Sequence, residues 1–126
     1  MAVVRFLLIC LGGAVGTGAR YLFSTAMARA FGNFPFGTLG VNVIGSFLIS
    51  VVMVLALEKS ALSLDLRLII VTGGLGGFTT YSSFNYETLH LAQAGAGGLA
   101  VANVALTLIV CALAGIAGIW VGRAIA

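Results

Sequence analysis

Charge is what this chain has least of: six basic and three acidic residues make up 7% of its 126 positions, and there is a single histidine. So few ionisable groups leave no nucleophile, base and orienter set, no metal-ligand cluster and no phosphate-binding loop, and enzyme chemistry has little support. The net charge of +3 comes without a basic cluster, so it points away from nucleic acid and toward a topology signal. Cysteine is equally sparse. Cys10 and Cys111 sit in apolar runs without metal-type spacing, and read as small packing residues rather than a disulfide or zinc site.

What fills the chain instead is apolar: 61% of residues are hydrophobic, and the mean hydropathy is +1.21. These values lie far outside those of a soluble globular domain and predict an all-α, multi-pass protein of the cell (inner or plasma) membrane. A spanning helix needs about 20 apolar residues. The charges separate four such stretches, 6–27, 37–57, 68–92 and 98–121, joined by short connections, so residues 1–126 are expected to form a single four-span membrane domain. Arg5, the apolar run 6–15 and the small residues at 17–19 imitate a secretory leader, but more membrane span follows and a cleavable leader would have nothing to deliver.

With four spans, both termini and the middle loop share one side. That side carries Arg5, Lys59, Arg67 and Arg123, against Arg29 and the nearby Arg20 on the other. The positive-inside rule favours cytoplasmic termini, yet the excess is small enough to leave dual insertion open. Insertion both ways permits an antiparallel homodimer with an isologous interface. The 18 glycines allow helices to approach closely, and small-xxx-small spacings recur at Gly12/Gly16, Gly73/Gly77 and Ala114/Gly118.

The third stretch holds the most polar interruption, T-G-G-L-G-G-F-T-T-Y-S-S-F-N-Y-E over 72–87. Each glycine costs about 1 kcal/mol relative to alanine in a helix interior, so a uniform helix across Gly73–Gly77 is not expected. A break frees carbonyl and amide groups, which in hydrocarbon need a cation, water or a neighbouring helix; the alternative is a glycine packing face. Tyr81 and Phe84, three apart, share a helical face whose ring edges suit an anion or simple packing, with Ser83 beside them. Asn42 in the second span must face a partner or a pore. Asn103, Thr107 and Cys111 recur at i, i+4 and i+8, a stripe fit for a pore wall or a hydrogen-bonded helix interface. Arg20 either draws anions into a vestibule or snorkels to the interface. Glu87 is placed at the far end of the third span, as a surface or ion-paired residue.

At these residues the chain resembles the Fluc (CrcB) family of fluoride channels. G-G-F-T-T-Y-S-S-F at 76–84 is similar to the family's G-G-x-T-T-F-S-T-F, and Gly37, Thr38, Leu39, Val41 and Asn42 match its G-T-L-x-V-N. Gly16-x-x-x-Arg20 in the first span and the overall length extend the likeness from end to end. The resemblance implies an antiparallel, dual-topology homodimer with a broken third helix, two narrow fluoride pathways and a structural sodium ion at the interface. It assigns the sodium to the backbone carbonyls of Gly76 and Thr79. It assigns the fluoride pathway to Asn42, Tyr81, Ser83, Phe84 and Thr107, with Arg20 toward the vestibule. Passive export of cytoplasmic fluoride, conferring fluoride resistance, is the implied activity. Tyr81 departs from the family's more usual phenylalanine, adding a phenol to the ring edge.

Two other readings compete. A small proton-coupled exporter of the multidrug-resistance type needs a membrane-embedded carboxylate; the first span has none, and Glu87 is the one acidic candidate. An assembly subunit without a selective site leaves the hydroxyls, Asn42 and the paired aromatics unexplained.

Overall fold

A computed structural model describes residues 2–125 of the chain. Helix α1 covers Ala2–Phe31 and α2 covers Phe36–Glu58, whose last five residues, Val54–Glu58, form wide turns. Helix α3, residues 64–78, begins as an ordinary helix over Leu64–Arg67, widens over Leu68–Leu75 and tightens again at Gly76–Phe78. Two extended residues follow, then α4 at Tyr81–Gln93 and α5 at Gly97–Ala124. Three helices, α1, α2 and α5, are long and apolar enough to cross a membrane. The fourth expected stretch is the interrupted pair α3–α4.

The helix ends follow from local chemistry. Gly32 (φ +66°) stops α1 and Gly95 (φ +78°) stops α4, both in the left-handed region that glycine enters without a Cβ penalty. Around Gly95 the Ala96 N–H donates to the Leu91 carbonyl at 2.9 Å and the Gly95 N–H to Ala92 at 3.1 Å, the paired bonds that satisfy the last carbonyls of α4. Ser63 caps α3 by accepting the Leu66 N–H at 3.3 Å.

Polarity is arranged inside out relative to a soluble domain. Val41 and Asn103 are the largest fully buried side chains, whereas Phe6, Tyr21, Leu22 and Trp120 are exposed. Large apolar side chains on the outside and small residues between helices are what a lipid surround favours, because lipid supplies no hydrophobic drive to bury them. The chain is a multi-pass membrane protein.

Glycine makes the helix contacts. On α1, Gly12 and Gly16 lie against Gly73 and Gly74 of α3, and Gly13 and Thr17 against Gly77: a Cβ on Gly73 would come within 2.5 Å of the Ile9 carbonyl oxygen, and one on Gly77 within 2.5 Å of the Gly13 oxygen. On α5, a Cβ at Gly118 would run into the Phe47 carbonyl of α2. As expected, the helix is not uniform across Gly73–Gly77, but the break itself lies further along the chain than expected. Wide turns carry the chain through part of the glycine run, which packs on α1, and helical geometry ends at Thr79 (φ −86°, ψ 161°) and Thr80 (φ −156°, ψ 120°).

Two ion pairs tie helix ends together: the start of α1 to the start of α3, and the end of α2 to the end of α5. Arg5 Nε pairs with Asp65 Oδ1 at 2.6 Å, and Arg123 grips Glu58 with Nε at 2.9 Å and Nη2 at 2.8 Å. The fork-to-fork geometry of the second pair ties the end of α2 to the end of α5.

Candidate functional site

The break after Phe78 is built by Asn42. Its Nδ2 donates to the Thr80 carbonyl at 2.9 Å, while its Oδ1 accepts the Thr80 N–H at 2.8 Å. In an uninterrupted helix that N–H would close on the Gly76 carbonyl. The amide of α2 thus replaces a helical bond with a two-point clamp, which accounts for an Asn inside an apolar span: the N–H and the carbonyl of Thr80 are both satisfied, and one amide N–H remains. Thr80, 8% exposed, then caps α4, its Oγ1 accepting the Ser83 N–H at 3.3 Å and donating to Ser83 Oγ at 3.2 Å.

A cavity of about 440 Å³ opens beside this clamp, and Asn42, Gly76, Thr79, Thr80, Tyr81, Phe84, Thr107 and Cys111 are among its walls. Six of the eight residues expected to serve the site are therefore brought together. Tyr81 and Phe84 stand with ring centroids 5.7 Å apart at 53°; Phe84 is buried and Tyr81 is exposed. Thr107 is 9% exposed, and among the described residues its hydroxyl has no hydrogen-bond partner. A buried hydroxyl without a partner loses roughly 1–3 kcal/mol unless something fills the space before it. The orphan belongs to a residue of the cavity wall, so an unsatisfied hydroxyl lies at or just beneath that wall.

Ser83 and Arg20 fall elsewhere. They line a neighbouring cavity of about 320 Å³ together with Thr17, Thr38 and Glu87, and Thr80 is a wall of both spaces. Arg20 donates from Nη1 to the Thr79 carbonyl at 3.4 Å, so it is tied to the helix break as well as facing the polar space.

One residue was placed differently by the sequence and another was missed. Glu87 does not behave as a surface group: its Oε1 accepts the Thr38 hydroxyl at 2.8 Å, and its Oε2 is buried with no partner among the described residues. Its seven-residue distance from Thr80, about two helical turns, puts it on the same side of α4 as the cap. Thr88 was passed over altogether. It accepts from Asn103 Nδ2 at 2.8 Å and donates to the Phe84 carbonyl at 2.7 Å. Of the two roles open for Asn103, the structure shows the helix-to-helix bond.

The oxygens available to a cation at the break are backbone carbonyls, since no three His, Cys, Asp or Glu side chains converge among the described residues. The Gly76 carbonyl has lost the Thr80 N–H to Asn42. Among the described residues the Thr79 carbonyl accepts only the long contact from Arg20, 3.4 Å. One chain thus offers two carbonyl oxygens at the end of a helix, where the partial charge is negative. Backbone carbonyl oxygens are the ligand type that a hard cation takes.

Fold and site together define a small polytopic membrane protein with a polar space built at a helix break. The chain belongs to the CrcB family: the family described as "CrcB-like protein, Camphor Resistance (CrcB)" matches residues 7–119. It is 53% identical over 116 residues to a protein of Anaeromyxobacter sp. (strain K) named "Fluoride-specific ion channel FluC", covering 91% of this chain and 92% of that one. Proteins of the same name from Sorangium cellulosum (strain So ce56) and Agrobacterium fabrum (strain C58 / ATCC 33970) are 52% identical over 120 residues and 42% identical over 122. The alignments cover 94% of this chain and 94% of the first relative, and 96% of this chain and 98% of the second. The family is one of non-enzymatic membrane proteins, and the proton-coupled exporter reading is not favoured.

Proposed function

We propose that this protein is a fluoride-selective channel that lets cytoplasmic fluoride leave the cell down its electrochemical gradient. The observation that carries this reading is the unpartnered Thr107 hydroxyl, buried in a cavity that Phe84, Tyr81 and the Asn42–Thr80 clamp also line. Fluoride is small and strongly hydrated, so a conduit selects it by replacing its water with closely spaced donors. Thr107 offers an O–H, Asn42 one remaining amide N–H, and the ring edges of Phe84 and Tyr81 carry partial positive charge. None of these is a full cation, so an anion is not held too tightly to leave. Arg20, in the adjoining cavity with Ser83, raises the anion concentration near the break.

The working unit in this reading is an antiparallel homodimer inserted in both orientations. Exposed Tyr81 and the outward apolar surface leave room for a second copy. A two-fold axis through the break would bring the Gly76 and Thr79 carbonyls of both copies together, giving four oxygens for a structural sodium ion. Sodium would offset the negative end of the broken helix, and Arg20 would compete with it for the Thr79 oxygen.

The deciding experiment is efflux from proteoliposomes, driven by a potassium gradient with valinomycin and read with ion-selective electrodes. Fluoride release with chloride retained supports the channel; equal release of both, or release of neither, overturns it. For sodium, exhaustive replacement by a large organic cation should weaken the dimer on size exclusion, and unchanged assembly and flux would remove the ion from the proposal.

A further inference from the structure

Phe84 is bracketed along α4 by two threonines. Thr80, Phe84 and Thr88 recur at intervals of four residues, so they share one face of the helix. An asparagine from another helix holds each end of that stripe. At the near end Asn42 of α2 grips the peptide of Thr80 with bonds of 2.9 and 2.8 Å. At the far end Asn103 of α5 donates from Nδ2 to Thr88 Oγ1 at 2.8 Å, and that hydroxyl donates its own O–H to the Phe84 carbonyl at 2.7 Å. A threonine hydroxyl turned back on the carbonyl four residues earlier bends a helix and stabilises it little by itself. Here the amide behind it polarises the hydroxyl, and the hydroxyl holds the carbonyl. Asn103 is 1% exposed, and neither it nor Thr88 lines the cavity beside the break or its neighbour. Neither side chain is therefore placed to touch an ion.

We infer that Asn103 and Thr88 are positioning residues for fluoride selectivity: they form a second clamp that, with the Asn42–Thr80 clamp, sets the rotation of α4 and so the place of the Phe84 ring in the cavity wall. A small rotation is enough to matter. A ring carried about 5 Å from the helix axis moves by roughly 2 Å when the helix turns by about 20°. A conduit that replaces a small anion's water with closely spaced donors and ring edges admits larger halides once its walls separate by that much. With the Asn42 clamp alone, α4 is pinned only at its start, and its packing, mainly against α5, decides the rest. Among the described residues, the Asn103–Thr88 contact is the side-chain hydrogen bond that joins α4 to α5.

The selectivity half of this inference rests on the fluoride-channel reading, and the positioning half does not. Fluoride and chloride efflux from proteoliposomes gives the flux ratio, and 4-fluorophenylalanine in place of Phe84 gives a fluorine NMR signal from the ring itself. Thr88→Val and Asn103→Leu should each lower the fluoride-to-chloride ratio by roughly ten- to a hundredfold, the loss that a misplacement of about 1 Å brings to an oriented site. Both should also shift or broaden the ring signal, read on protein that elutes as wild type on size exclusion; Thr88→Ala and Asn103→Ala serve where those variants do not fold. Thr88→Ser keeps the hydroxyl and should hold both readouts at their wild-type values. A flux ratio or a ring signal that stays at its wild-type value in Thr88→Val and Asn103→Leu overturns the inference, and so does a Thr88→Ser protein that behaves as the valine variant does. Absence of fluoride efflux from the wild-type protein overturns the channel reading instead, and the ring signal then decides the positioning by itself.

Discussion

Asn103 of α5 holds Thr88 of α4, and through it the backbone at Phe84: the amide donates to the Thr88 hydroxyl at 2.8 Å, and that hydroxyl donates to the Phe84 carbonyl at 2.7 Å. Asn103 is only 1% exposed, so in a dry interior this bond fixes the rotation of α4 against α5. A double-mutant cycle with Asn103→Leu and Thr88→Val, read by unfolding in mixed micelles, should give a coupling energy of about 0.6 kcal/mol and at most about 1.7. Additive single effects would show that the two side chains do not stabilise one another.

Phe84 is where positioning turns into selectivity. Isoleucine fills much of the volume and keeps the site apolar but has no ring edge to present to an anion. Phe84→Ile should reduce fluoride efflux to the leak of protein-free liposomes while the protein elutes at the wild-type position on size exclusion. Wild-type flux from the variant would take the ring out of the pathway.

The glycine contacts separate packing from conformation. An added methyl at Gly77 meets the Gly13 carbonyl at 2.5 Å, and one at Gly16 runs into the Gly74 carbonyl, whereas Gly18 has nothing within 4 Å. Gly16→Ala and Gly77→Ala should each destabilise the fold by about 1–3 kcal/mol through overpacking against backbone that cannot move aside. Gly18→Ala should be neutral or stabilising by up to about 1 kcal/mol, because alanine favours helix. Thermal unfolding of the three variants in detergent tests the ranking, and equal effects would deny the close contact of α1 with α3.

Much of this was legible in the sequence because hydropathy and charge fix where the helices run, and because polar residues inside apolar spans must find partners. Asn42 and Asn103 announce themselves in this way. The place of the break was not legible: glycine weakens a helix in isolation, but Gly73–Gly77 is held by α1, and a side chain of α2 sets the interruption at Thr79–Thr80. Glu87 was misjudged for a related reason. Its partner Thr38 lies 49 residues away, and no local pattern encodes a tertiary hydrogen bond. Ser83 was grouped with Phe84 by adjacency, yet neighbouring residues on a helix point about 100° apart, and the two line different cavities.

The Asn42 clamp makes the last prediction, because its two halves can be removed separately. Asn42→Asp keeps an acceptor for the Thr80 N–H, found at 2.8 Å, but sets a carboxylate oxygen against the Thr80 carbonyl that the amide now reaches at 2.9 Å. Asn42→Ala removes both bonds and leaves the peptide of Thr80 unpaired at membrane depth. Each buried group left without a partner costs about 1–3 kcal/mol, so Asn42→Ala, which orphans two, should be strongly destabilised. Asn42→Asp retains one bond but adds negative charge to the cavity wall, so it should lose fluoride efflux to near background whatever fold it retains. Unfolding midpoints separate the two variants by stability, and efflux from the folded fraction separates structure from conduction. A folded Asn42→Asp protein that conducts fluoride at the wild-type rate would show that the remaining amide N–H does not serve the anion.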